Sequence, residues 1–332
     1  MMRTILTILA IFFVRYAHSR AAPEPFFRND DDCSFGVKTI SLLVYNSNNK
    51  GQNMSITDMC NNVKPSQKVA FLVHGFVSTV QAGHFRSLAL QLAEKGYTVF
   101  AVDWSQGACT TGLAVLKFME YPDAAKNTLA VGQHVASFVE KLIKECGVPL
   151  EQITFIGHSL GAHVCGFAAK EIRNRKLGTV SLIIAADPAN PTLGCKDCDD
   201  RLCHTDCSCL KVVHTSTLGM GKALGHLDLQ FNNGNMQPGC WADLSQACSH
   251  GLSVKYIENA AGNTCVFPGV PIKEKLGVFD RTPPYPADNE TNCIIVNENL
   301  LDPSCSIKGQ YYVFVDSKTY CTENPPLNCQ KQ

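Results

Sequence analysis

A chain of 332 residues that is 45% hydrophobic has enough apolar mass to bury a sizeable core. Its 29 basic and 29 acidic residues cancel, and no basic run stands out, so neither a nucleic-acid partner nor electrostatic docking on a membrane is expected. The 17 cysteines fit an oxidising extracellular compartment rather than a reducing cytosol.

The first twenty residues, MMRTILTILAIFFVRYAHSR, set Arg3 ahead of an apolar run from Thr4 to Val14. That run falls short of the roughly 20 residues a bilayer helix needs. With small residues at Ala17 and Ser19, residues 1–19 read as a secretory signal peptide rather than a buried first helix. No later segment is apolar enough to span a membrane, and 20–332 is expected to form one domain. No cysteine lies in the signal, so the exported chain keeps an odd number and at least one is unpaired or pairs between chains. Cys165, inside an apolar helix, is the expected free thiol. Asn53 and Asn289 open N-x-S/T sequons.

Strand and helix patterns then alternate. KVAFLVHGF (68–76) reads as a strand, HFRSLALQLAEKGY as a helix ending on Gly96, and YTVFAVDW (97–104) as the next strand. NTLAVGQHVASFVEKLIKECG (127–147) is an amphipathic helix closed by Gly147. QITFIGHS, VSLIIAADP and CLKVVHTS are further strands, the first followed by the helix SLGAHVCGFAAKEIRNR. This alternation predicts an α/β fold, a largely parallel sheet with helices on both faces. After about residue 262 the chain turns rich in Cys, Pro and Asn, with one clear strand, QYYVFVDS, and is expected to be a tail stapled onto the domain.

GHSLG (157–161) matches G-x-S-x-G between a strand and a helix. The glycines allow a sharp turn that leaves the Ser159 hydroxyl proud at the carboxyl end of the sheet. A serine needs a base, and the base an orienting carboxylate. Asp187 ends the next apolar strand, on the same sheet edge; Asp197, Asp199, Asp200 and Asp206 sit in a cysteine-rich loop and fit worse. Four histidines compete for the base. His204 lies in that cysteine-rich loop, His214 inside an apolar strand, His226 at a strand start, and His250 at the start of a helical pattern just after Cys248. Local pattern leaves the choice open. The stretch CKDCDDRLCHTDCSC holds Cys195, Cys198, Cys203, His204, Cys207 and Cys209, which suggests zinc. Export favours disulfides there instead. Cys198–Cys203 and Cys33–Cys109 are candidate bridges.

Taken together, FLVHGF, VDW followed by GAC, GHSLGAH, DP after a strand, RLCHTD, HTS.LG, GH.D, N.QPGC and CSH make the chain resemble the pancreatic-lipase family. It resembles most closely the phospholipase A1 branch of wasp and ant venoms, from about Cys33 to Tyr320. The resemblance implies an α/β-hydrolase fold with Ser159, Asp187 and His250 as triad. It implies an oxyanion hole from the N–H groups of Phe76 and Leu160, and no metal or other cofactor. Ala185 and Asn190 depart from the small residues the family commonly has around the acid. Lipases of this family cover the site with a long lid between the cysteines that match Cys240 and Cys248. Here the lid is the seven residues WADLSQA, which favours phospholipid, cleaved at the sn-1 ester. Trp241 either sits in the headgroup layer or packs on the domain. The implied protein is a secreted monomer acting on a membrane or micelle surface of phospholipid. A triacylglycerol lipase or carboxylesterase with the same triad, or a non-catalytic lipid-binding protein of the yolk type, are the alternatives. Residues 251–332 are too few to add a C-terminal β-sandwich of about 100 residues.

Overall fold

The computed structural model describes residues 33–81, 83–110, 117–262, 265–273, 282–287, 289–316 and 328–331. The expected signal peptide lies outside them. Among the described residues, twelve strands form one sheet: β1 (Ser41–Tyr45), β2 (Lys50–Met54), β3 (Val69–Val73), β4 (Thr98–Asp103), β5 (Ile153–His158), β6 (Val180–Ala186), β7 (Cys207–His214), β8 (Leu227–Phe231), β9 (Phe267–Ile272), β10 (Ile294–Val296), β11 (Gly309–Val313) and β12 (Gln330–Lys331). Four α-helices accompany them: α1 (Gly83–Glu94), α2 (Lys117–Lys144), α3 (Leu160–Asn174) and α4 (Ala247–Ala261). The spatial order is β12-β10-β9-β11-β8-β7-β6-β5-β3-β4-β1-β2. From β4 through β3, β5, β6, β7 and β8 to β11 every neighbour is parallel, and the flanking pairs β1–β4 and β9–β11 are antiparallel.

The continuous apolar runs of the central strands follow from burial on both faces. Strand β3, VAFLV, is buried throughout. Its alternate residues divide between two cores: Val69, Phe71 and Val73 pack with α2 and α3, and Ala70 and Leu72 with α1 and α4. This arrangement is the α/β-hydrolase fold.

Two expectations need correction. Helix α2 begins at Lys117, ten residues before the predicted start, and contains Pro122. Proline removes a backbone donor and reads as a breaker, but near a helix start it deletes few hydrogen bonds. The chain after residue 262 is more than a tail with one strand, since β9 to β12 extend the sheet. Strand β11 lies parallel to β8 and antiparallel to β9. Pro268 and Pro271 in β9 and the two- and three-residue lengths of β12 and β10 hid them from pattern reading.

Among the described residues, disulfides join Cys33–Cys109, Cys60–Cys146, Cys198–Cys203, Cys209–Cys305, Cys240–Cys248 and Cys293–Cys329, and Cys265 is also bonded. Cys165 is a free buried thiol; Cys207, buried, and Cys195, exposed, are free as well. Both sequon asparagines are exposed, Asn53 on the edge strand β2.

Candidate active site

Strand β5 ends at His158 and α3 begins at Leu160, so Ser159 makes the whole turn, at φ 57° and ψ −123°. L-residues rarely adopt that conformation, and it persists only where the surroundings impose it. They do so by close backbone approach. A Cβ at Gly157 would collide with the Gly161 carbonyl, and one at Gly161 with the Val73 carbonyl at the end of β3. On the other side runs the loop after β3. A Cβ at Gly75 would stand 2.6 Å from Ser159 Cβ and 3.1 Å from its Oγ. Backbone 74–76 therefore lies against the hydroxyl. Among the described residues, neither the N–H of Phe76 nor that of Leu160 donates a hydrogen bond. Two unused backbone donors beside one serine are what a developing oxyanion would need. The Phe76 ring packs edge-on against Tyr121 at 5.1 Å, and Tyr121 donates to Pro191 O in the loop that follows the acid.

Asp187 follows β6 directly and is fully buried. Its Oδ2 lies 2.7 Å from His250 Nδ1. Ser216 Oγ donates to the same oxygen at 2.5 Å, and the Thr215 N–H donates to Oδ1 at 2.9 Å. Burial alone would raise this carboxyl. The hydrogen bond and charge attraction of His250, joined by Ser216 and Thr215, outweigh it, and the pKa falls below the ordinary aspartate value. With Nδ1 engaged by the acid, His250 keeps Nε2 for another partner. No hydrogen bond joins Ser159 Oγ to His250 among the described residues; in unliganded enzymes this contact is commonly long and tightens with substrate.

His158 holds the backbone of the candidate base, His250. Its Nε2 lies 3.1 Å from His250 O, an atom that only accepts, so Nε2 carries the proton. The two rings sit 4.5 Å apart. Burial, then repulsion by His250, push the His158 pKa down to about 3, which keeps it neutral. Gln237 ties the two halves together: its amide donates to Thr215 O and Phe231 O, and it accepts from Tyr256 on α4.

The remaining histidines lie elsewhere. His214 is buried, with Nε2 2.7 Å from Asp228. His226 Nδ1 accepts from Leu210 N, and His204 stands beside Cys203 with its ring 5.9 Å from His226. In the cysteine-rich loop, Cys198 and Cys203 are joined to each other and Cys209 to Cys305, so its thiols are Cys195 and Cys207.

The loop ahead of His250 is closed by Cys240–Cys248. Asp243 organises it by accepting from Ser245 N at 2.9 Å and Cys248 N at 2.6 Å, the latter in the first turn of α4. Those bonds, from the Ser245 side chain first, lower its pKa. Trp241 is 64% exposed and Leu244 92% exposed.

A family model described as Lipase matches residues 36–294. The chain belongs to the lipase family. Phospholipase A1 of Dinoponera quadriceps is 41% identical over 310 residues, covering 90% of this chain and 80% of that one. Phospholipase A1 of Solenopsis invicta is 36% identical over 353 residues and covers both chains in full. Phospholipase A1 of Vespula vulgaris is 38% identical over 247 residues, 72% of this chain and 74% of that one. Within this lipase-family fold, sequence reading missed His158, Ser216 and Gln237 as supports. All three stand inside the quoted motifs GHSLG, HTS.LG and N.QPGC, which was the available signal.

Proposed function

We propose that this lipase-family chain is an exported serine hydrolase of the phospholipase A1 type, releasing the sn-1 acyl chain of glycerophospholipids. The 2.7 Å contact between Asp187 and His250 at the sheet edge that carries Ser159 is the observation that carries the reading. Ser159 Oγ attacks the ester carbonyl as His250 Nε2 takes its proton. Asp187 holds the imidazole in the Nδ1–H tautomer and stabilises the imidazolium. The N–H groups of Phe76 and Leu160 receive the negative charge on the former carbonyl oxygen. Collapse of that intermediate expels the lysophospholipid oxygen, protonated by His250, and water repeats the sequence on the acyl-enzyme. The names of the relatives, together with a cover of seven residues between Cys240 and Cys248, support a phospholipid substrate. Export through a signal at 1–19 is supported by the disulfides, and we place the catalytic machinery in a single domain that acts as a monomer.

Phosphatidylcholine carrying distinguishable sn-1 and sn-2 chains tests the reading. Release of the sn-1 acid is expected. Preferential hydrolysis of triglyceride would make the chain a triacylglycerol lipase, and no fatty acid release under conditions where a control enzyme works would make it a non-catalytic binder.

A further inference from the structure

The loop over Ser159 is held by a set of contacts that the proposed mechanism does not use. His74 and Trp104 are both fully buried, their rings stacked with centroids 5.5 Å apart. Trp104 Nε1–H donates to His74 O at 2.8 Å, and the Trp104 backbone N–H lies 3.1 Å from His74 Nε2. His74 Nδ1 in turn lies 2.9 Å from Gly75 O. A carbonyl can only accept, so Nδ1 carries the proton; a backbone N–H can only donate, so Nε2 does not. Both ring nitrogens are committed. Asp103 Oδ1 is 3.5 Å from Nε2 and accepts from the Ser105 N–H at 3.0 Å.

These bonds fix two successive carbonyls, those of His74 and Gly75. Among the described residues no peptide bond is cis, and in a trans peptide the C=O and N–H point in opposite directions. Tying Gly75 O to the imidazole therefore turns the Phe76 N–H away from it. That N–H is the donor left without a partner, in the loop whose Gly75 stands against Ser159 Oγ. A free glycine peptide could flip and present its carbonyl instead, which would repel an oxyanion. The His74 contact prevents the flip from within the loop, and Trp104, from the end of β4, locks His74.

We propose that His74 and Trp104 are positioning residues that hold the Gly75–Phe76 peptide in the orientation that stabilises the transition state. The inference rests on the serine-hydrolase reading above. It assigns the pair an effect on the charge developed on the carbonyl oxygen and none on ground-state binding.

A short p-nitrophenyl ester and its thionoester, in which sulfur replaces the carbonyl oxygen, separate these effects, because sulfur accepts hydrogen bonds poorly and gains little from such donors. His74→Ala is expected to lower kcat on the ester by about 10–10²-fold with KM within about threefold, less than the roughly 10²–10³-fold lost when an oxyanion donor is removed outright, because the donor stays and only its orientation loosens. Thionoester turnover should fall far less, so the ester-to-thionoester ratio collapses. His74→Asn, whose amide nitrogen stands near the Nδ1 position, should recover most of kcat and of the ratio. Trp104→Phe keeps the stack, removes one donor, and should lower both in the same sense by a smaller factor; it decides the matter alone if the His74 variants do not unfold cooperatively. An unchanged ratio in folded variants, a loss carried by KM, or an Asn variant no better than Ala overturns the inference while leaving the hydrolase reading intact. A wild-type protein that turns over no ester overturns both.

Discussion

Between β3 and β8 the strands run parallel, are largely buried on both faces, and meet the helices through backbone contacts too close for a Cβ. From β9 to β12 antiparallel and parallel pairings mix, prolines interrupt, and a disulfide between Cys293 and Cys329 secures the margin. On the proposed mechanism, the first region has to place Ser159, Asp187 and two N–H groups to within fractions of an ångström. The second has only to complete the sheet and supply apolar cover for α4, which it does through Phe267 against Tyr256 and Phe231. Positional accuracy in this protein comes from unyielding main chain; cover comes from side chains and cross-links that tolerate substitution.

The contrast can be broken most sharply at the nucleophile. Ser159→Ala should lower kcat by on the order of 10⁵–10⁶ while thermal unfolding stays cooperative; residual turnover near wild type would remove Ser159 from the chemistry. Next comes Gly161→Val, which drives a side chain into the Val73 and His74 carbonyls. Overpacking against main chain has no easy relaxation, and a loss of about 3 kcal/mol or more is expected, read as loss of soluble folded protein or a large drop in midpoint by urea unfolding. At the other end, replacing Cys293 and Cys329 together by Ser should lower Tm by roughly 5–10 °C yet leave kcat within about twofold. A large fall in kcat there would show that the margin positions the site after all.

The smallest effect concerns the seam between α1 and α4. Glu258 is nearly buried; burial would raise its carboxyl, but hydrogen bonds from His84, Ser87 and Lys255 bring the pKa down from 4.5 to about 2. The unfolded chain therefore takes up this proton first as pH falls. The stabilisation is complete above about pH 4.5 and is lost as pH descends toward 2. Glu258→Gln should lower Tm by about 2–4 °C at neutral pH, and the gap from wild type should close in acid. A gap independent of pH would assign the effect to packing alone.

How far the sequence could be read follows the same division. Ser159 was legible because its signal is local: a strand, two glycines and a helix start within a few residues. Asp187 was legible as the end of an apolar strand. The contact of His250 with Asp187 was not, because it spans 63 residues and three other histidines had comparable local settings; only the family motifs separated them. His158, Ser216 and Gln237 act through contacts whose partners lie far along the chain, and His74 through one bond inside its own loop and others across 30 residues to Trp104. No periodicity encodes such contacts. Strands β9, β10 and β12 escaped for a related reason, since their pairing is set by neighbours in space while their residues read as turn and loop.

Asp243 separates two jobs that the short loop would otherwise mix. Everything from Asp243 onward is wired to the helix start, through Asp243 to Cys248 N and through Gln246 O to His250 N. Upstream of it, between Cys240 and Asp243, stand Trp241 and Ala242. Residues added at that point would cost the Asp243 N–H its bond to Cys240 O, while the contacts of Asp243 and Gln246 with α4 do not depend on that span. The length of the outer cover and the placement of His250 are thereby set by different bonds.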